Sequence, residues 1–183
     1  MNTFLVIDPG LKHTCALLVS VRQEGPDSEI WCEIHWATVV DLSGQVNPDK
    51  DKAQREMDWI WHSVGRQLEV KGLSLAKVVV EFQPPLNTRT NCALVRWNSW
   101  IEGFVVAFFS NKTWVNNAPA PVVYVHSSGV KRFFDISSGA HYVNKKLAIE
   151  RAQCFVKDKS LIGSDHAADC VLMAIYEFKR ARN

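Results

Sequence analysis

Thr3-Phe4-Leu5-Val6-Ile7-Asp8-Pro9-Gly10 begins with strand-forming residues and ends on a turn. It therefore predicts a strand that delivers one carboxylate, Asp8, at its end. Cys15 to Val21 and Trp31 to Val40 have the same strand-forming character and are joined by the polar stretch Gln23 to Glu29. With the first strand they predict an antiparallel meander. From Asp51 the apolar residues Met57, Ile60, Trp61, Val64 and Leu68 recur at helical spacing, so a helix follows the meander.

The pattern of the opening strand then repeats. Val78-Val79-Val80 runs into Glu81, and Pro84-Pro85 stops the run after Gln83, which predicts a buried strand again presenting a carboxylate at its C-terminal end. Cys92 to Ser110 reads as a helix with Ala93, Trp97, Trp100, Ile101, Phe104 and Phe108 on one broad stripe. Val122 to Val125, after Pro119 and Pro121, predicts a fifth strand. Asn144 to Val156 and Ser164 to Arg180 predict two closing helices, the second with Ser164 as its N-cap. A meander followed by alternating strands and helices calls for an α/β fold, a mixed five-stranded sheet flanked by helices. No linker or repeat divides the chain, so residues 1–183 are expected to form a single domain.

The composition supports this. With 183 residues, 47% of them hydrophobic and 22% charged, the chain is long and apolar enough to bury a core without staples. The longest central apolar run, Phe104 to Phe109, is too short to cross a bilayer, and the N-terminus lacks the layout of a signal peptide. Five scattered cysteines, Cys15, Cys32, Cys92, Cys154 and Cys170, form no C-x-x-C pair. They are expected to be buried thiols of an intracellular, reducing compartment, with no membrane association. The net charge is only +2, but its distribution is uneven: 8 Lys and Arg against 12 Asp and Glu through Phe82, then 13 against 7 beyond it. An acidic region beside a basic surface suits metal ions and a polyanion.

Three acidic positions carry that chemistry together. Asp8 and Glu81 stand at strand ends, and Asp165, His166 and Asp169 crowd the first turns of the last helix. At 100° per residue these three lie at roughly 0°, 100° and 40°, on one side of the helix. Singly each has a plainer reading: Asp8 starts a turn, Glu81 is solvated, and Asp165 complements the helix dipole. Jointly they suit a site for a hard divalent cation, because such ions prefer oxygen ligands and phosphodiester hydrolysis needs charge neutralised at the attacking and leaving oxygens.

Phe4 to Gly10, Val78-Val79-Val80-Glu81-Phe82-Gln83 and Asp165-His166-Ala167-Ala168-Asp169 resemble, in order and spanning most of the chain, the acidic motifs of RuvC-type Holliday junction resolvases. These belong to the ribonuclease H-like superfamily. Glu81-Phe82-Gln83 and Asn144-Lys145-Lys146 look closer to the poxvirus and mitochondrial branches, so the resemblance also admits a viral protein acting in the infected-cell cytoplasm or nucleus. It implies a ribonuclease H-like fold and a metal-dependent endonuclease, a homodimer that resolves four-way DNA junctions by paired cuts. Asp8, Glu81 and Asp169 would be the catalytic, metal-binding carboxylates holding two Mg²⁺ ions, with Mn²⁺ able to substitute. His166 occupies a position that is Asp in many relatives. The fourth catalytic position is therefore His166, the adjacent Asp165 as a metal ligand, or both, since a neutral imidazole binds Mg²⁺ poorly yet transfers protons.

Lys12, Arg89, Arg96, Lys131, Arg132, Lys145, Lys146 and Arg151 are candidate phosphate contacts, with a solvated surface the plainer reading of each. Lys131-Arg132 and Lys145-Lys146 are preferred. Phe82 is a candidate to stack on an unpaired base, against a buried strand-end aromatic. Part of the Trp97 and Trp100 stripe is a candidate dimer interface. The alternative function from a different class is a non-catalytic branched-DNA-binding or scaffold protein with the same fold. A third reading, a nucleotide-binding relative of the actin-like ATPases, ranks last because this sequence lacks the later Gly-rich loops that reading needs.

Overall fold

Leu5, Ile7, Ala16, Leu18, Val78 and Val80 are buried in one apolar cluster, and Phe4, Val6, Cys15, Leu17, Val19 and Val79 in another. Neighbours along a strand point to opposite faces. The central strands therefore carry two apolar faces, and both must be covered. A computed structural model describes residues 1–9, 13–25, 27–41, 50–82, 92–114, 119–136 and 140–182, with residues 92–98 and 141 described in their backbone only.

The strands are β1 (Asn2–Pro9), β2 (His13–Arg22), β3 (Trp31–Asp41), β4 (Leu75–Phe82) and β5 (Val122–His126). The helices are α1 (Lys50–Lys71), α2 (Cys92–Ser110), α3 (Ser127–Phe133), α4 (His141–Gln153) and α5 (Asp165–Arg180). The sheet order is β3-β2-β1-β4-β5. β1 pairs antiparallel with β2 and β2 with β3, while β1 with β4 and β4 with β5 are parallel. The α/β class, the opening meander and the mixed five-stranded sheet flanked by helices are all as the sequence reads.

On one face lie α1, through Ala53, Met57, Ile60, Val64 and Leu68, and α2, through Ile101, Val105, Phe108 and Phe109. Ring stacking of Trp100 on Phe104, centroids 5.1 Å apart, continues the predicted stripe. The other face is covered by α3, α4 and above all α5, of which Ala168 and Cys170 to Ile175 are buried. No helix among the described residues is long and apolar enough to cross a membrane.

Two expectations need correction. The sequence reading had no helix between β5 and α4, yet α3 starts directly at the end of β5. Seven residues with one buried apolar side chain, Val130, give no helical period to detect. Nor are all the cysteines interior: Cys15, Cys32 and Cys170 are buried free thiols, but Cys154 is exposed. It follows the last residue of α4, whose inner face is already filled by Ala148 and Ala152.

α1 ends in a left-handed cap. Gly72 has φ +60, and the amide of Leu73 donates to the carbonyl of Leu68 at 2.8 Å, the six-to-one bond that closes a helix around such a glycine. No neighbouring atom crowds a Cβ added at Gly72 or at Gly65 in the middle of α1. The two glycines therefore differ only in backbone conformation. Gly72→Ala is expected to destabilise the fold by about 1 kcal/mol and Gly65→Ala to stabilise it by about 0.5–1 kcal/mol. Denaturant melts giving the same sign for both would refute the cap.

Candidate active site

Parallel register brings the first two carboxylates together. Ile7 is the Cα partner of Val80 across β1 and β4, so Asp8 and Glu81, one residue further on, end neighbouring strands at the same edge of the sheet. Asp8 shares the parity of Phe4 and Val6, and Glu81 that of Val79, so both belong to the face covered by α5. Asp8 is 4% exposed.

α5 supplies the remaining groups because its first turn is fixed above this edge. Ser164 is its N-cap, as the sequence predicts, and its hydroxyl accepts from the amide of Ala167 at 3.2 Å. The next residues reach the strand ends. His166 Nδ1 lies 2.8 Å from Asp8 Oδ2. Asp169, one turn further in, shares a small cavity with Glu81, Ser127, Val130, Lys131, Ile136, Leu172 and Met173.

Crowded carboxylates in a buried setting hold their protons. Burial, and then the charge and hydrogen bonding of Asp8, push Glu81 up to about 9. Asp169 rises to about 6, chiefly through burial, with the Lys131 ammonium working in the opposite direction. His166 rises to about 9 because its hydrogen bond to Asp8 favours the charged ring. Asp165 behaves differently. Burial works to raise it, but the hydrogen bond and charge of Lys145, Nζ 2.5 Å from Oδ2, outweigh this and hold it below the ordinary carboxylate value.

The sequence-predicted residues thus fall into groups. Asp8, Glu81, His166 and Asp169 converge. Asp165 faces Lys145 on α4. Lys131 lies at the centre and not on an outlying surface: it lines the carboxylate cavity and acts electrostatically on both Glu81 and Asp169. Arg132 is exposed, and Lys146 extends along α4 toward Glu150, 3.8 Å away. Phe82 belongs to the opposite face, with the parity of Val78 and Val80, and packs against His126 and Tyr124 with ring centroids 4.4 and 6.1 Å away. Lys12 and Arg89 lie outside the described residues, as do the side chains of Arg96 and Trp97.

Sequence reasoning missed the central place of Lys131 and the presence of Ser127. A signal existed. β5 is parallel to β4, so whatever follows β5 emerges at the edge bearing Glu81, and Ser127 and Lys131 stand one helical turn apart there.

The donor set fits a hard divalent cation. Asp8, Glu81 and Asp169 offer carboxylate oxygens, and the raised titration of Glu81 and Asp169 marks unfavourable negative charge, which a cation would relieve. As the side chains stand, no three His, Cys, Asp or Glu groups among the described residues form a ready metal-holding set. His166 engages one oxygen of Asp8, and a cation would share that carboxylate with it.

No protein-family model and no curated protein matches this sequence. Its structure is similar to that of Thermus thermophilus RuvC, with a TM-score of 0.64 and 18% identity, covering 98% of this chain and 95% of that one. T. thermophilus RuvC in complex with Holliday junction substrate gives 0.59 and 18% over the same shares. The yeast mitochondrial Holliday junction resolvase Ydc2 gives 0.50 and 12%, covering 94% of this chain and 76% of that one. The chain has the ribonuclease H-like fold of the RuvC-type resolvases.

The pKa shifts fix a pH dependence. Glu81, Asp169 and His166 all titrate higher in the fold than their ordinary values of 4.5, 3.8 and 6.5. Each therefore contributes stability that is complete below its ordinary value and is lost as pH rises through about 9, about 6 and about 9 respectively. Without divalent cations, Tm is expected to fall steadily from about pH 5 to about pH 9. Glu81→Gln should flatten the slope, and added Mg²⁺ should restore most stability at the alkaline end. A cation-free Tm that climbs over this interval would contradict the charge arrangement.

Proposed function

We propose that this protein is a divalent-metal-dependent endonuclease that resolves four-way DNA junctions by paired phosphodiester cleavage. The supporting observation is the convergence of Asp8, Glu81 and Asp169, with Lys131 in the cavity that Glu81 and Asp169 share, on a RuvC-type fold. Asp8, Glu81 and Asp169 are the residues suited to hold two Mg²⁺ ions. Bound there, the ions would neutralise phosphate charge and ease ionisation of the attacking water.

The protein's own groups do the rest. His166 orients Asp8 and, being protonated through neutral pH, offsets its charge. This assigns it to positioning, and Asp165 to anchoring Lys145 at the rim. Lys131 is placed to bind a non-bridging oxygen of the scissile phosphate. Its ammonium meets charge that grows in the transition state, so its contribution belongs to turnover and not only to binding. Paired cuts call for two sites related by a two-fold axis. The half-buried Trp100 and Phe104 on α2 support an isologous dimer along that helix.

The deciding experiment incubates the protein with labelled four-way, three-way and linear DNA, with Mg²⁺ or with EDTA. Symmetric cuts in the four-way junction are expected, with none in EDTA. Asp8→Asn should lower the rate on the order of 10³-fold or more, since a metal contributes several kcal/mol to phosphoryl chemistry, while junction binding persists. Metal-independent junction binding without cleavage by the unaltered protein would favour the scaffold reading. Sedimentation as a monomer, free and on DNA, would rule out paired cutting.

Lys131 and Arg132 separate turnover from binding. Lys131→Ala is expected to slow cleavage at saturating DNA by about a hundredfold, on the scale of losing one oxyanion donor. Arg132→Ala should weaken binding, make its salt slope shallower by about one counterion equivalent and leave saturated turnover near normal. Identical behaviour of the two variants would remove Lys131 from the chemistry.

A further inference from the structure

α4 begins with an exposed aromatic knob. Tyr142 is 75% exposed and Val143, beside it, 36%. Other exposed aromatics pack against a neighbouring ring: Trp59 on Trp36, Tyr124 on Phe82 and Phe133 on Tyr176. Among the described residues Tyr142 has no such partner. Stability does not account for its exposure, because the buried side of α4 is carried by Ala148 and Ala152.

Its neighbours are cationic. Lys145 and Lys146 follow Tyr142 at three and four residues, so all three side chains share a sector of about 100° on the helix. Lys145 is fixed by its ion pair with Asp165, and the next residue, His166, bonds Asp8. Tyr142 thus stands three residues, about 4.5 Å along the axis, beyond a lysine anchored to the carboxylate site.

A flat ring beside two ammonium groups is complementary to a nucleobase attached to its phosphates, because bases stack on aromatic faces while lysines hold the backbone. A protein partner would gain less from this surface: two lysines next to the ring disfavour a dry apolar contact. On the proposed reading of the active site, a DNA strand reaching Lys131 passes this rim. We infer that Tyr142 stacks on an unpaired base of the DNA strand that runs past Lys145 and Lys146 to the carboxylate site. This rests on the nuclease reading and adds to it a contact that grips an unstacked base and not a phosphate.

The test uses the full chain with 2-aminopurine placed at the branch point of a four-way junction and, separately, in a single-stranded oligonucleotide. Binding is expected to quench the fluorescence of both probes. Tyr142→Phe and Tyr142→Trp should keep the quenching. Tyr142→Leu and Tyr142→Ala should lose it and bind about tenfold more weakly, with an unchanged salt slope and Tm. Lys146→Ala should do the reverse, with a shallower slope and retained quenching.

Wild-type quenching and affinity in Tyr142→Leu would overturn the inference while leaving nuclease function standing. A change of oligomeric state in Tyr142→Ala would also overturn it, by assigning the knob to a second copy of the chain. Quenching on single strands by a protein that neither binds nor cuts junctions would uphold the stacking contact and sink the junction reading.

Discussion

Everything at the acidic edge of this molecule follows from two carboxylates being forced side by side. The parallel pairing of β1 with β4, in the register that sets Ile7 opposite Val80, holds the backbones of Asp8 and Glu81 side by side unless the sheet unpairs. Like charges this close and this dry are costly, and the protein answers with protons and cations. Glu81 keeps its proton to about pH 9, His166 bonds Asp8, and Lys131 acts on Glu81 and Asp169. Lys145 answers Asp165 in the same way a turn away.

α5 makes this arrangement possible because it is both the most deeply buried helix and the one that begins at the acidic edge. Its burial from Ala167 to Phe178 leaves the first turn little freedom, and the Ser164 cap removes what remains. The partial positive charge at its N-terminus also favours the nearby carboxylates. One further ion pair locks its far end: Lys77 of β4 reaches Glu177, which is 1% exposed, at 2.7 Å. The same helix is thus tied to the sheet at both ends, by a charged contact each time.

Much of this was legible in the residues. Strand-ending carboxylates after Ile7 and Val80, and the Ser164 cap followed by Asp165, His166 and Asp169, are local patterns, and local patterns survive folding. The place of Lys131 was not legible in that way. It depends on β5 lying parallel to β4, and the run Val122 to Val125 says nothing of its partner. Phe82 shows the converse. Adjacency to Glu81 suggests a shared site, yet alternation along a strand sends neighbouring side chains to opposite faces. The burial of Glu177 was only half legible: its i,i+3 pair with Arg180 is a local pattern, but its other partner, Lys77, is a hundred residues away.

The uneven charge of the chain acquires a physical meaning in this geometry. Asp8 and Glu81 come from the acidic first part, while Lys131, Lys145 and Lys146 come from the basic remainder, on α3 and α4. Cations that stabilise a folded carboxylate cluster are, by position, also the ones facing any phosphate drawn to it. A cation spent wholly on a carboxylate would be unavailable to any other anion, and a wholly free one would leave the cluster uncompensated. The two basic pairs, Lys131-Arg132 and Lys145-Lys146, divide this conflict between them. In each, one member turns to the acids, Lys131 or Lys145, and its neighbour, Arg132 or Lys146, stays outward. Tandem basic residues on a helix necessarily point about 100° apart, so a doublet is the shortest sequence that can turn one cation to the acids and keep another outward.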